Sequence, residues 1–95
     1  MSAPITIELA VPVSVDGNVI TELSLRRPKV RDLRALEEAT EGRSSQLDQG
    51  AVLVALLSGI PEAAVEDMDA ADFARASEVI GGFFGEVRAQ KTGGV

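Results

Sequence analysis

Ile5-Thr6-Ile7-Glu8-Leu9-Ala10-Val11-Pro12-Val13-Ser14-Val15, then Asp16-Gly17-Asn18, then Val19-Ile20-Thr21-Glu22-Leu23-Ser24-Leu25, is the stretch that decides the fold. Apolar residues hold every odd position from 5 to 15, and polar or small residues, with Pro12, hold the even ones. A period of two over this length is a half-buried strand. The odd pattern resumes at Val19, Thr21, Leu23 and Leu25, so the two runs form a β-hairpin around Asp16-Gly17-Asn18. Residues opposite each other on antiparallel strands share a face. Pairing odd with odd throughout requires a three-residue loop, Asp16-Gly17-Asn18, with Val15 opposite Val19; a two-residue Asp16-Gly17 loop would pair Val15 with Asn18. The three-residue loop is therefore expected, with Asn18 in the left-handed conformation it tolerates. Pro12 cannot donate to a ladder, so the first strand is an edge there, or bulged.

Outward from the hairpin the period changes. Arg27-Pro28 ends the second strand, because the residue before proline is held extended. Val30, Leu33 and Leu36 then fall on one side of a helix running from about Pro28 or Val30 to Thr40. Ser45 is a good N-cap for a second helix, with Asp48 three residues on, and Gly59 suits its left-handed C-terminal position. Between them, Ala51-Val52-Leu53-Val54-Ala55-Leu56-Leu57 is apolar all round, so this helix is central or covered by another chain. Residues 61–67 suit one short helical turn. Asp69 opens the last helix, with Asp72 three residues on and Met68 placed to staple onto Phe73. Phe73, Ala76, Ile80, Phe83 and Val87 make its stripe, and Gly81, Gly82 and Gly85 mark where it frays or ends.

The expected fold is α+β: an N-terminal antiparallel hairpin followed by a small bundle of three main helices plus one short helical turn. At 95 residues the chain has room for one domain, residues 1–90, with a loose tail at 91–95. Ile7, Leu9, Val11, Leu23, Leu25, Leu33, Leu36, Leu53, Leu56, Ile60, Phe73 and Ile80 are the expected core.

The chemical inventory is short. Cysteine and histidine are absent, which removes thiolate and imidazole metal ligands, cysteine nucleophiles and the serine–histidine triad. Glu37-Glu38, Glu66-Asp67 and Asp69-Asp72 have no substrate-orienting partner and suit helix ends and caps. Asp16-Gly17-Asn18 lacks the rest of a calcium loop. Gly81-Gly82-Phe83-Phe84-Gly85 lacks the Gly-Lys-Ser/Thr of a phosphate loop. No catalytic, metal or cofactor residue is assigned, and no cofactor is expected.

A formal charge of −6 disfavours phosphate backbones, so no nucleic acid is expected as partner. No run approaches the ~20 apolar residues of a membrane span, and the first residues carry no signal-peptide pattern, so a cytoplasmic protein away from the membrane is expected. The charge is uneven. Arg26, Arg27, Lys29, Arg31 and Arg34 place five of the nine bases within nine residues, and Glu62 to Asp72 holds five acids and no base. This bipolar layout makes the basic cluster a candidate patch for self-association, alongside the plainer reading of two solvated faces. Phe83-Phe84 puts adjacent rings on different sides of a helix, one available to a partner.

In order, these pieces resemble the small tail assembly chaperones of contractile-tailed, Mu-like and P2-like bacteriophages and prophages. The resemblance is carried by Leu9-Ala10-Val11-Pro12-Val13, Asp16-Gly17, Glu22-Leu23-Ser24-Leu25-Arg26-Arg27-Pro28 and Val30-Arg31-Asp32-Leu33-Arg34-Ala35-Leu36. It continues through Leu56-Leu57-Ser58-Gly59-Ile60-Pro61 and Met68-Asp69-Ala70-Ala71-Asp72-Phe73, covering about residues 5 to 84. Lys29 stands where the pattern would place a capping Thr, and a lysine cannot accept that bond.

The resemblance implies a non-catalytic chaperone that coats hydrophobic helical segments of the tape measure protein before the tail tube polymerises. It also implies absence from the mature virion, action in the cytoplasm of the bacterial host, and association with a longer form made by ribosomal frameshifting. A homo-oligomer is expected from the charge layout. Val54, Leu57, Phe83, Phe84 and Val87 are the expected partner-binding residues. The alternative is a small structural virion protein, of the tail or the head–tail joint.

Overall fold

The computed structural model describes residues 4–42 and 45–93, with side chains described as far as Phe84. Two strands, β1 (Ile5–Val15) and β2 (Asn18–Leu25), form an antiparallel hairpin. Four helices follow: α1 (Val30–Ala39), α2 (Gln46–Ser58), α3 (Glu62–Glu66) and α4 (Ala70–Gly93). The fold is α+β, as the alternation followed by helical periods required.

Between the strands, Ile5 pairs with Leu25 and Ile7 with Leu23, odd with odd. After Glu8–Glu22 the register shifts, and Val13 pairs with Ile20 and Val15 with Asn18. The loop is therefore the two-residue Asp16-Gly17, not the expected Asp16-Gly17-Asn18. Both residues have positive φ, 52° and 83°, the geometry of a tight hairpin turn whose twist matches the strands. Odd–odd parity fails near the turn because β1 bulges at residues 9–12, around Pro12. Opposite the bulge, the inward side of β2 changes from Ile20 to Leu23. Val11, expected in the core, sits in the bulge and is 47% exposed.

α2 occupies the centre, packed on β2, α1, α3 and α4. That placement accounts for its lack of a polar face: Ala51, Val52, Val54 and Leu57 are buried, and Leu53, Ala55 and Leu56 half-buried. Its ends follow the sequence. The Ser45 hydroxyl accepts from the Leu47 and Asp48 N–H groups, and Gly59 takes the left-handed conformation at φ 79°. Gly50 gives α4 room, since a Cβ there would lie 3.2 Å from the ring of Phe73.

α4 crosses α2 and both strands, burying Ala76, Ile80 and Phe83. It does not end at the glycines but runs through Gly81, Gly82 and Gly85 to Gly93. Each glycine costs about 1 kcal/mol relative to alanine, and Ile80 and Phe83, both seated in the core, hold the helix on either side of the first two. Of the tail expected at 91–95, residues 94 and 95 lie outside those described.

α1 departs most from expectation. Its one buried residue is Asp32; Leu33 is 40% exposed and Val30 73%. At about 100° per residue, turning Asp32 inward leaves Leu36 about 40° away, Leu33 about 100° away and Val30 on the far side. Leu36 is accordingly half-buried, and the other two face outward. Leu9, Leu23, Leu25 and Ile80 are buried as expected, and Ile7, Leu53, Leu56, Ile60 and Phe73 are half-buried.

Candidate functional site

Two carboxylates set which surfaces the helices present. The first turns α1. Leu25 is fully buried at the end of β2, so Arg26 emerges where β2, α1 and the end of α2 meet. Its guanidinium grips Asp32 with two bonds, Nη1 to Oδ2 at 2.7 Å and Nη2 to Oδ1 at 2.8 Å. Asp32 Oδ2 also accepts the Lys29 N–H at 2.7 Å, so the helix start is capped from inside the helix, where the Lys29 side chain has no acceptor to offer. Arg26 closes α2 as well: its N–H donates to the Leu57 carbonyl at 3.2 Å and its Nη2 to the Leu56 carbonyl at 3.3 Å, two groups a helix end leaves unpaired. Hydrogen bonding to Arg26, reinforced by the Lys29 N–H, holds the Asp32 carboxyl down to about 2 against the opposing effect of burial. The same pairing raises Arg26.

The second carboxylate binds the bulge. Asp72 is fully buried on the first turn of α4. Its Oδ1 accepts the Ala10 N–H at 3.0 Å and its Oδ2 the Val11 N–H at 3.1 Å, the donors beside Pro12 in the shifted stretch of the ladder. Arg75 Nη2 donates to Asp72 Oδ1 and reaches the Glu8 carbonyl at 2.7 Å. The two backbone donors, then Arg75, hold the Asp72 carboxyl below its ordinary range although burial opposes them. Asp69 opens the helix as expected, its carboxylate accepting the Ala71 N–H at 3.1 Å, while Asp72, expected to share in that opening, serves the bulge instead.

With these joints fixed, each expected partner-binding residue has a place. Val54 is fully buried and Leu57 and Phe83 nearly so; all three are core side chains and present no surface to a partner in this fold. The Arg27 guanidinium lies over the Phe83 ring, 5.4 Å from its centre, a cation–π contact. Phe84 is half-buried and lies in an apolar groove between α2 and α4 with Gly50, Leu53, Ile80 and Gly81. The Val87 side chain lies outside the described residues. Of the basic cluster, Arg26 is engaged by Asp32 and α2, while Lys29, Arg31 and Arg34 are exposed around α1. The apolar α1 surface of Val30 and Leu33 was missed from sequence, because a stripe at helical spacing reads as core until the buried Asp32 is known.

The profile of the family described as "Phage tail assembly chaperone proteins, E, or 41 or 14" matches residues 6–85. The chain belongs to this family. No curated protein and no solved structure matches it. The family match spans the hairpin, both carboxylate joints and the Phe84 groove, so the surfaces described here all lie on the part of the chain the family shares. Family membership gives the chain a chaperone role in tail assembly. Among the described residues there is no group of three or more acidic side chains placed to hold a metal ion, and no helix long and apolar enough to cross a membrane.

Proposed function

We propose that this chaperone binds hydrophobic helical segments of the tape measure protein and keeps them soluble until the tail tube assembles around them, without nucleotide and without catalysis. The observation that carries the reading is the groove of Leu53, Ile80 and Phe84, an apolar surface left open on a tail assembly chaperone. A client helix exposes an apolar stripe that would otherwise aggregate, and a holder needs a matching apolar groove. The net charge of −6 keeps such a complex dispersed. In this reading the protein acts in the cytoplasm of the bacterial host, works beside a longer frameshifted form where one is made, and leaves before the virion matures.

The test is co-expression with the tape measure protein. Solubility of the client should rise with the wild-type chain. Phe84→Ala should fold normally yet lose much of that effect, since truncating a buried anchor of this kind costs more than ~1 kcal/mol of binding. Unchanged client solubility, or stoichiometric amounts of the chain in purified tails, would replace the chaperone reading with that of a structural virion component.

A further inference from the structure

The joint at Asp32 turns Val30 and Leu33 outward, and these two wall a second apolar hollow, between α1 and α4. Pro28 and Phe83 complete its apolar lining, and Arg27 and Lys29 border it. Phe84 lines this hollow and also the α2–α4 groove of Leu53, Ile80 and Gly81, so its half-buried ring is a wall of both. Among the described residues, no acidic side chain lines either hollow. Asp32 is close by in sequence, but it is buried and paired with Arg26. Glu37 stands on the outer α1 surface with Arg34, on the far side of Leu33 from Lys29 and about 12 Å from it along the helix. The second hollow is therefore apolar with a basic end, and that end is at Lys29.

We propose that the two hollows are one client site, with the Phe84 ring as the ridge between them, and that its occupant is an amphipathic helix whose apolar stripe runs into an acidic residue at the Lys29 end. This rests on the client reading above and adds to it the reach and the charge of the segment bound. Neighbouring apolar side chains on a helix lie three or four residues apart, and such a row can straddle a ridge, one side chain in the hollow on each side. One hollow seats a single anchor, whereas two hollows select a stripe at helical spacing. Charge complementarity selects the acidic end. The chain carries −6, so its overall field favours cationic clients. At the second hollow the local sign is the reverse: Lys29 is exposed at the border, and the Arg27 guanidinium lies over the Phe83 ring beside it. A client carboxylate placed there meets cations at short range. A client lysine at the same point meets like charges.

Fluorescence anisotropy with labelled synthetic peptides tests both parts. The peptides share one leucine stripe, at three- and four-residue spacing, on an otherwise uncharged polar helix. The stripe is flanked by Glu, Gln or Lys, placed at one end or the other in separate peptides. In one placement the Glu peptide should bind about two- to five-fold more tightly than the Gln peptide, the size of an exposed ion pair, and the Lys peptide more weakly than either. The advantage should shrink in high salt, and Lys29→Glu should remove it. Leu33→Ser lies outside the α2–α4 groove, yet it should weaken every peptide about five-fold or more, as Phe84→Ala does. Circular dichroism checks that each variant folds; if Leu33→Ser does not, Val30→Ser at the 73% exposed position replaces it. Binding weakened by Phe84→Ala but unchanged by the α1 variant overturns this inference and leaves the client reading standing. So does a Lys peptide that binds as tightly as the Glu peptide in both placements. A chain that binds no peptide yet solubilises the tape measure protein overturns this inference alone, and a chain that does neither overturns the client reading with it. Peptide affinity that falls as the light-scattering mass rises with chain concentration would assign the hollows to a second copy of the chain, and also overturns the proposal.

Discussion

Replacing Asp32 with alanine removes one carboxylate that ties β2, α1 and, through Arg26, α2. Three hydrogen bonds go with it: two from Arg26, at 2.7 and 2.8 Å, and one from the Lys29 N–H at 2.7 Å. Bonds to charged groups contribute about 1.5–3 kcal/mol each when both partners are buried. Here the Arg26 side chain is 44% exposed, so water recovers much of what the guanidinium loses, and the pair counts for about 1–2 kcal/mol. Loss of the cap at Lys29 adds about 1 kcal/mol. The sum, about 2–3 kcal/mol, is a large part of the roughly 5–15 kcal/mol of a small domain. At about 4–8 °C per kcal/mol the melting midpoint should fall by roughly 10–20 °C. The effect has a pH signature. Asp32 titrates at about 2 in the folded chain against an ordinary 3.8, a depressed value, so its contribution is complete above the ordinary value and fades as pH drops from there toward 2. Thermal melts of parent and Asp32→Ala should lie far apart at neutral pH and draw together below about pH 4. A neutral-pH difference under ~2 °C, less than 1 kcal/mol would give, refutes the reasoning. So does a gap that ignores acidification.

Further outcomes follow from the same geometry. Asp72→Asn offers one acceptor where two backbone donors need one each; it should lower the melting midpoint and speed hydrogen exchange at Ala10 and Val11, measured by NMR. In the parent, the contribution of Asp72 should likewise be lost as pH falls below the ordinary carboxylate range, because its folded value is depressed. Leu25→Asp places a charge at a fully buried site and should abolish the cooperative melt; a melt near that of the parent contradicts the core assignment. Gly81→Ala meets no atom within 4 Å and should stabilise α4 by up to ~1 kcal/mol, visible as a higher melting midpoint; a lower one would mean the helix is not regular there.

How far the residues announced this fold varies from element to element. The strands, the α2 ends and the order of helices follow from local signals: alternation at 5–15, the Ser45 hydroxyl, the left-handed Gly59. Pro12 called for an edge or a bulge, and the strand bulges. Its consequence, a loop one residue shorter than parity demands, depends on how many residues the bulge takes up, and no local signal counts them. Asp32 and Asp72 are the larger omissions. Both look like surface acids near helix starts, and both are buried because donors from outside their own helices come to meet them: Arg26, at the end of β2, and the Ala10–Val11 backbone in the first strand. The unpaired N–H groups beside Pro12 were the available clue that an acceptor had to arrive from elsewhere. Of the expected partner residues, helical spacing could not tell Phe83 in the core from Phe84 in the groove; a rotation of one residue separates them.

The Asp72 joint also orders the birth of the molecule. The Asp16-Gly17 turn closes between neighbours, and a hairpin of this kind forms in microseconds. The donors at Ala10 and Val11 wait for an acceptor 61 and 62 residues further along the chain. Contacts at such separation form after local ones, because the loop between them must first be closed. On the ribosome, the tip of the hairpin can pair while its bulged half stays unfastened until the first turn of α4 has left the exit tunnel, so nearly the whole family-matched stretch must be synthesised before its first strand is finished.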